Sequence, residues 1–260
     1  MIHFYKYQGT GNDFVIIDNR DKSFNGANTE LVRFLCDRRF GVGGDGLMLL
    51  EEHDKYDFTM RYFNSDGNEA SMCGNGGRCI AAFAVHQGII KNTEHFSFMA
   101  IDGLHEASYS NNIVSIKMID VNSIDKQKEY TFLNTGSPHY VEFTDDIDNL
   151  NVKEKGIKVR HSDTFKPDGT NANFVSFIKN DTLKVRTFER GVEDETLACG
   201  TGVVASAIAA YEKNKSVSDY KIKVLGGELR VSFETDDNNS YKNIWLEGPA
   251  TFVFEGKIKV

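Results

Sequence analysis

The sequence predicts an α+β protein of two pseudo-symmetric domains, each a strongly curved, mostly antiparallel β-sheet wrapped around one central α-helix. Three observations support this prediction: an internal repeat, strand-forming segments in the same order in both halves, and one alanine-rich helical stretch in each half. The chain has 260 residues, 40% of them hydrophobic, which is enough to build the cores of two small domains.

The internal repeat relates residues 124 to 126 positions apart. The segment "EASMCGNGGRC", which begins at Glu69, matches "ETLACGTGVVA", which begins at Glu195, with an offset of 126. Upstream the offset is 125, where "TGNDFV" at Thr10 matches "TGSPHYV" at Thr135. An ordered series of matches with a slowly drifting offset indicates duplication with small loop insertions. The period is too long for a solenoid, so we expect two similar domains that face each other.

The predicted boundary lies at the polar stretch "DVNSIDKQKEY", from Asp120 to Tyr130. Residues 1–119 form the first predicted domain, and residues 120–250 form the second. A C-terminal strand at about residues 251–260 can join the first domain. Each predicted domain then contains one copy of the repeat.

The strand-forming segments alternate or run apolar with β-branched and aromatic residues. In the first half they are "DFVIID", "GLMLLEE", "YDFTMRYFN", "HFSFMA" and "NIVSIKMID". Their counterparts in the second half are "HYVEF", "NFVSFIK", "LKVRTFE", "KIKVL" and "ELRVSFE". The common order predicts the same sheet in both domains.

The predicted helices are of two kinds. The stretch from Thr29 to Asp37 is amphipathic and is expected to end near Gly41. One further helix follows each Cys-Gly-x-Gly motif and is apolar nearly all round, so it belongs in the interior of its domain. Small residues let these helices pack closely: Ala81, Ala82, Ala84, Ala205, Ala207, Ala209 and Ala210.

The charge pattern points to a small-molecule partner. The formal net charge is −8, and no run of five like charges occurs, which argues against a nucleic-acid or membrane-surface partner. The sequence has neither a signal-peptide pattern nor an apolar stretch long enough to span a membrane. We therefore expect a cytoplasmic protein whose four cysteines are thiols.

Cys73 and Cys199 are expected at or just before the N-termini of the two buried helices. The first backbone N–H groups of a helix have no helical partner, and together with the helix dipole they favour bound anions and thiolates. The glycines that follow each cysteine would let a ligand carboxylate approach these amides. Two such thiols on opposite sides of one ligand suit stereoinversion, in which one thiolate removes a proton from a carbon and the opposite thiol returns one to the other face.

The cysteines could also serve in packing, zinc binding or a disulfide. Cys36 and Cys79 lack a counterpart in the repeat and are expected to be buried packing residues. A zinc site is disfavoured because the sequence has no Cys-x-x-Cys motif and no cluster of histidines. A disulfide between Cys73 and Cys199 remains open as an inactive oxidised form.

Six segments together resemble the diaminopimelate epimerase family over nearly the whole chain. They are "GTGNDFVIID", "RYFNSDGNEASMCGNGGRC", "NANF", "RTFERGVEDETLACGTG", "VLGGELRV" and "LEGPATFVFEG". Within the fold, "GNDF" together with "FERG" and "ACGTG" favours this family over the proline racemase and phenazine branches. The resemblance implies cofactor-independent interconversion of LL- and meso-2,6-diaminopimelate, in lysine and peptidoglycan precursor synthesis, with no metal and no pyridoxal phosphate.

The resemblance also implies roles for individual residues. Cys73 and Cys199 match the two catalytic bases, with Glu189 supporting Cys199 and His139 beside the other cysteine. The implied substrate-binding residues are Asn12, Asn64, Gly74, Asn75, Asn171, Glu189, Arg190, Gly200 and Thr201. Without the resemblance, the asparagines would be ordinary turn residues, and adjacent Glu189 and Arg190 would be a surface pair.

Two positions depart from the pattern of some family members. Ser137 stands where an asparagine is expected, and Gly46 stands where some members have a glutamine. The side chain at each position is therefore shorter and extends less far toward a ligand. Two alternatives remain open: a racemase of another amino acid, and a non-catalytic amino-acid-binding or redox protein. A homodimer is possible.

Overall fold

The computed structural model describes residues 1–236 and 240–260, in two units. The first unit comprises Met1–Ile116 together with Gly248–Val260, and the second comprises Lys117–Glu247. None of the helices in these described ranges is both long enough and apolar enough to cross a membrane.

The first unit is a sheet with one helix on each face. Its elements in chain order are β1 (Ile2–Gly9), β2 (Asn12–Asp18), α1 (Thr29–Cys36), β3 (Gly46–Glu51), β4 (Phe58–Asn64), β5 (Glu69–Ala70), α2 (Gly74–His86), β6 (Phe96–Ala100), β7 (Gly103–Ser110) and β8 (Ile113–Lys117), and the last strand of the chain, β18 (Thr251–Ile258), joins them. Strand β1 lies between β18 and β2, antiparallel to both. The pairs β2–β3 and β4–β6 are parallel, whereas β3–β4, β4–β5, β6–β7 and β7–β8 are antiparallel.

The second unit repeats this arrangement. Its elements are β9 (Ile124–Lys126), β10 (Thr131–Asn134), β11 (Pro138–Phe143), α3 (Val152–Arg160), a short 3₁₀ turn (Asp163–Phe165), β12 (Asn171–Lys179), β13 (Thr182–Glu189), β14 (Asp194–Thr196), α4 (Gly200–Asn214), β15 (Asp219–Val224), β16 (Gly227–Thr235) and β17 (Tyr241–Pro249). The pairs β11–β12 and β13–β15 are parallel, in the positions of the two parallel pairs of the first unit. The other pairs are antiparallel: β9–β10, β10–β11, β12–β13, β13–β14, β15–β16 and β16–β17.

The central helices α2 and α4 are buried, as the alanine-rich pattern predicts. In α2, every residue from Gly74 to Ala84 is buried, and Cys79 to Ala84 have no exposed surface. In α4, the run from Val203 to Ala210 is buried among strand residues such as Val185 and Ile222. The many small side chains of these helices let the strands pack closely around them. The predicted fold is confirmed.

The outer helices α1 and α3 pack on the opposite face of the sheets. Val32 and Leu35 of α1 lie against Val15 and Leu47, whose neighbours Phe14 and Met48 point to the other face. An asparagine caps each outer helix, since Asn28 accepts from the N–H of Leu31 and Asn151 from that of Glu154.

Several elements were not predicted from the sequence. Helix α1 is close to the predicted range, but α3 was missed because its sequence "VKEKGIKVR" is mostly charged and its apolar stripe is short. Strands β1, β7, β10 and β17 and the short strands β5, β9 and β14 were also not predicted, whereas β18 lies where the C-terminal strand is predicted. Each short strand has only two or three residues, too few for a periodic pattern.

Candidate functional site

Each of the two repeated cysteines is the N-cap of a central helix, as the sequence predicts. Cys73 precedes α2 and Cys199 precedes α4, both with extended backbone. The Cys73 sulfur accepts a hydrogen bond from the backbone N–H of Gly76, at 3.2 Å. The Cys199 sulfur lies 3.6 Å from the Thr201 hydroxyl oxygen. The sequence repeat therefore produces the same cysteine position in each unit, but with a different polar neighbour at each sulfur.

The glutamate that precedes each motif has a structural partner. Glu69 receives two hydrogen bonds from Arg61 at 2.8 Å, and Glu195 receives two from Arg186 at 2.6 and 2.8 Å. Each pair joins a short strand to its long neighbour, β5 to β4 and β14 to β13. Such bidentate pairs fix geometry as well as charge. These ion pairs hold the segment that leads into each cysteine.

Around Cys73, the wall of the site is apolar. A Cβ atom on Gly76 would lie 3.2 Å from the Cys73 sulfur, 3.3 Å from the Met48 sulfur and 3.6 Å from the Phe14 ring. The Phe14 ring in turn meets the Tyr62 ring edge to face, with centroids 6.0 Å apart. Strand β4 thus brings an aromatic side chain to the face that carries α2.

Tyr62 also explains one departure from the family pattern. A Cβ atom on Gly46 would lie only 2.5 Å from Tyr62 Cε2 and 2.6 Å from the Phe63 carbonyl oxygen. The Tyr62 ring therefore occupies the space that a side chain at position 46 would need. Asn64 pairs with Gly46 across β3 and β4 and is exposed at the end of its strand.

A buried arginine lies behind the first turn of α2. Arg78 has no exposed surface, and its guanidinium donates to the Thr10 hydroxyl and to Asn75 Oδ1, both at 2.9 Å. It also donates to the carbonyl oxygen of Gly74 at 3.3 Å. Burial lowers the pKa of Arg78 to about 10, which still leaves it charged near neutral pH. The charge acts next to the turn that carries Cys73.

The same contacts orient two of the predicted binding residues. Asn75 Nδ2 donates to Asn12 Oδ1 at 3.4 Å, and Asn12 donates in turn to the Asp45 carboxylate. Arg78 was not among the predicted site residues. The sequence did contain a signal for it, because an arginine in an otherwise apolar, buried helix needs hydrogen-bond partners in the interior.

Asp45 belongs to an ion-pair cluster at the start of β3. Arg38 bonds both Asp13 and Asp45 at 2.6 Å, and the buried Lys6 amine lies 2.6 Å from Asp13. Burial alone would raise the pKa of Asp13, but hydrogen bonds from Arg38 and Lys6 outweigh it and lower the pKa to about 2. The cluster fixes the loop against which Asn12 is held.

In the second unit the cysteine is flanked by polar side chains. His139 has no exposed surface, and its Nε2 lies 2.9 Å from the Thr201 hydroxyl in the first turn of α4. Its Nδ1 lies 3.0 Å from Asn173 Nδ2. Burial and then the charge of Arg190 lower the pKa of His139 to about 3, so the imidazole is neutral at physiological pH.

Asn171 and Ser137 bind each other. Asn171 Nδ2 donates to the Ser137 hydroxyl at 2.8 Å and to the Pro138 carbonyl oxygen at 3.1 Å. Asn171 Oδ1 accepts from the backbone N–H of Arg190 at 2.8 Å. Both amide hydrogens of Asn171 are thus used within the protein, and the serine that departs from the family pattern orients it. Glu189 and Arg190 follow at the partly exposed end of β13.

The structure gives the glycines a role that the sequence did not suggest. We expected them to expose amides to a ligand, but a Cβ atom on Gly202 would lie 2.4 Å from Asn173 Oδ1. Gly202 therefore makes room for a buried amide of its own unit. Asn173 and its partner Thr187 were also missed, since nothing in the local pattern of "NANF" distinguishes a core amide from a surface one.

The four cysteines are all free thiols, and two of them match the predicted packing role. Cys36 and Cys79 are 4% and 0% exposed. Burial raises the pKa of the Cys36 thiol to about 12 and raises the pKa of Cys79 strongly. Neither is an accessible nucleophile.

Solved structures share this fold over the whole chain at low sequence identity. A phenazine biosynthesis protein of the PhzF family from Bacillus anthracis matches with a TM-score of 0.78 and 13% identity, covering 100% of this chain and 99% of that one. A probable proline racemase from Agrobacterium radiobacter matches with a TM-score of 0.69 and 13% identity, covering 100% and 93%. These likenesses establish the fold.

Sequence relatives establish the family. The family model described as diaminopimelate epimerase matches residues 4–115 and 131–253. A protein named diaminopimelate epimerase from Flavobacterium psychrophilum is 53% identical over 256 residues, covering 98% of this chain and 99% of that one. One of the same name from Chlorobaculum tepidum is 43% identical, covering 96% and 98%. The chain belongs to the diaminopimelate epimerase family.

Proposed function

We propose that this protein interconverts LL- and meso-2,6-diaminopimelate without a cofactor, in lysine and peptidoglycan precursor biosynthesis. The observation that carries the proposal is the pair of repeated cysteines, each the N-cap of a buried helix. Family membership supports the substrate, because relatives that cover nearly the whole chain are named for this activity.

Cys73 and Cys199 act as the two bases. In one direction, the thiolate of one cysteine takes the α-proton, and the electron pair of the broken C–H bond is delocalised into the adjacent carboxylate. The thiol of the other cysteine then gives its proton to the opposite face of the carbon and becomes the thiolate. The substrate is inverted, one proton has been taken up and one released, and the reverse reaction exchanges the roles of the sulfurs.

The helix N-termini stabilise the carbanion. The backbone N–H groups of Gly74, Asn75, Gly200 and Thr201 bind the carboxylate at the reacting carbon, where negative charge accumulates. Helix N-termini are suited to this because their first N–H groups have no helical partner. The buried charge of Arg78, which lies on α2 itself, adds to this field.

The second amino-acid centre of the substrate determines specificity. Arg190 and Glu189 at the end of β13 offer opposite charges for its carboxylate and ammonium groups, and Asn12 and Asn64 add polar contacts. Asn171 contributes by orienting the backbone of Arg190. A substrate with an apolar side chain would leave these groups unpaired, which disfavours a racemase of another amino acid.

Glu189 and His139 support the bases. His139 does so as a neutral imidazole, because its pKa is lowered to about 3. Among the described residues it contacts the first turn of α4 through Thr201. The resemblance implied a place for His139 beside the other cysteine, but these contacts favour an influence on Cys199 through hydrogen bonding.

We also propose a cytoplasmic location and a homodimer. Free thiols that must remain reduced for catalysis suit a reducing compartment. On β18, the side chains of Phe252 and Phe254 are 44% and 45% exposed, an apolar surface that a second copy could cover.

Proton exchange tests the reaction and the substrate together. The reduced protein is incubated in deuterated water with LL-diaminopimelate and, separately, with amino acids that have one centre. Deuterium at one centre with formation of the meso isomer, only from diaminopimelate, is the expected result. Exchange with another amino acid would show that the substrate is a different one. No exchange from any of them would favour a binding or redox protein.

Single substitutions test the two-base assignment. Cys73→Ser and Cys199→Ser should each abolish epimerisation, since each direction needs both a thiolate and a thiol. Circular dichroism and a urea melt control for folding. Near-normal turnover in both directions by either variant would show that the assignment is wrong.

A further inference from the structure

The two units differ in chemistry at equivalent positions beside the cysteines. The same offset of 125 and the same strand register relate three residues of the first unit to three of the second. The equivalent pairs are Phe14 and His139, Met48 and Asn173, and Tyr62 and Thr187. The row near Cys73 is apolar apart from one phenol, whereas the row near Cys199 is polar and buried. Burying three polar side chains has a cost unless their hydrogen bonds are satisfied.

The orientation of the Asn173 amide is determined by its neighbours. Its Nδ2 lies 2.9 Å from the Tyr140 carbonyl oxygen, which can only accept, so this atom is the nitrogen. The Thr187 hydroxyl donates to Asn173 Oδ1 at 3.0 Å. Gly202 leaves the space in which that oxygen lies. The second hydrogen on Nδ2 therefore points to His139 Nδ1, at 3.0 Å.

This orientation selects the tautomer of His139. Because Asn173 Nδ2 can only donate, His139 Nδ1 must accept and the ring proton is on Nε2. The Nε2–H group then donates to the Thr201 hydroxyl oxygen at 2.9 Å. The hydroxyl hydrogen of Thr201 is directed away from His139, and the Cys199 sulfur lies 3.6 Å from that oxygen.

We propose that Asn173 is a positioning residue for Cys199: held by Thr187, it fixes the Nε2–H tautomer of His139 so that Thr201 donates its hydroxyl hydrogen to the sulfur. Each group then donates a hydrogen bond to the next: Asn173 to His139, His139 to Thr201, and Thr201 to the Cys199 sulfur. A donor that faces the sulfur favours the thiolate over the thiol. Cys73 has a backbone N–H donor instead, from Gly76. The two sulfurs are thus stabilised by different donors. This inference rests on the proposed role of Cys199 as a base.

The tautomer is measured without any substitution. Imidazole ¹⁵N shifts of the ¹⁵N-labelled protein, with His139 assigned by its loss in His139→Gln, should show a protonated Nε2 and an unprotonated Nδ1. In Asn173→Asp, an oxygen replaces the donor and accepts from the ring, so the Nδ1–H form or a doubly protonated ring should replace the Nε2–H form. An Nδ1–H tautomer in the parent, or an unchanged tautomer in Asn173→Asp, would overturn the proposal.

Thiol reactivity measures the consequence at the sulfur. In the full chain carrying Cys73→Ser, iodoacetamide modification near pH 7 is followed by mass spectrometry of the peptide that contains Cys199, because Cys199 is 7% exposed and Cys36 4% and the peptides distinguish them. Asn173→Asp should slow the modification about tenfold, because the sulfur loses its donor. An unchanged rate would contradict the proposal.

A matched pair of hydroxyl deletions separates positioning from packing. Thr187 and Thr196 are paired across β13 and β14, but the Thr196 hydroxyl is buried without a hydrogen-bond partner among the described residues. Thr187→Val should slow Cys199 modification about two- to threefold, and Thr196→Val should not change it. Equal effects would indicate a packing role and overturn the proposal. The tautomer and the modification rate are measured without turnover. Absence of epimerisation in the parent would therefore refute the proposed function, whereas an unchanged tautomer or modification rate would refute the role of Asn173.

Discussion

Gly76 and Gly202 occupy equivalent positions in the two units, and alanine should have different effects at each. At Gly202, the new Cβ atom would lie 2.4 Å from Asn173 Oδ1, about 0.6 Å inside the shortest contact that Cβ atoms show. Asn173 cannot retreat without losing bonds to His139, Tyr140 or Thr187.

The expected change in the free energy of unfolding combines a destabilising contribution from overpacking and lost hydrogen bonds with a stabilising contribution from helix propensity. Overpacking costs about 1 to 3 kcal/mol, and each lost buried hydrogen bond about 1 kcal/mol more, whereas the gain in helix propensity from glycine to alanine is at most about 1 kcal/mol. The net cost of Gly202→Ala should be about 2 kcal/mol. At Gly76, the nearest atom is the Cys73 sulfur at 3.2 Å, so a small shift suffices and the two terms nearly cancel.

Urea denaturation of both variants, followed by circular dichroism and tryptophan fluorescence, measures the difference. We expect Gly202→Ala to unfold at a clearly lower urea concentration than Gly76→Ala, with an unchanged slope. Equal midpoints would show that Asn173 is not held as tightly as its three contacts indicate, and would refute the reasoning.

Three further predictions concern other parts of the molecule. The pKa of Asp13 is lowered to about 2, so its contribution to stability is present above pH 4 and is lost as the pH falls through 2. Between about pH 5 and pH 2, the free energy of unfolding should therefore fall about 1 to 2 kcal/mol more in the parent than in Asp13→Asn, and parallel pH profiles would contradict this. Gly156→Ala should destabilise the protein by about 2 kcal/mol or more in the same urea assay, because its Cβ atom would lie 2.3 Å from the buried Phe188 ring; a neutral effect would mean that α3 can move off the sheet. Arg78→Met should slow iodoacetamide modification of Cys73 several-fold in a Cys199→Ser background, since a buried positive charge near the sulfur is removed, whereas an unchanged rate would show that this charge does not act there.

The sequence alone determined the features that depend on local pattern. The duplication was predicted from motifs that recur in the same order along the chain. Most of the strands and the buried central helices were predicted because alternating apolar residues and alanine-rich segments are visible within a window of about ten residues. The positions of Cys73 and Cys199 as helix N-caps were predicted for the same reason, since a cysteine, its glycines and the following helix are contiguous.

Only the tertiary structure decided which polar residues surround the cysteines. Arg78 is bonded to Thr10, and Asn173 to His139 and Thr187, across sequence separations of 68, 34 and 14 residues. The repeat itself concealed the difference between the units, because it predicts equivalent backbones and says nothing of the side chains on them. Whether a residue such as Asn173 is a core amide or a surface one depends on which strands pair and what packs over them, and that is decided by the burial of the whole chain.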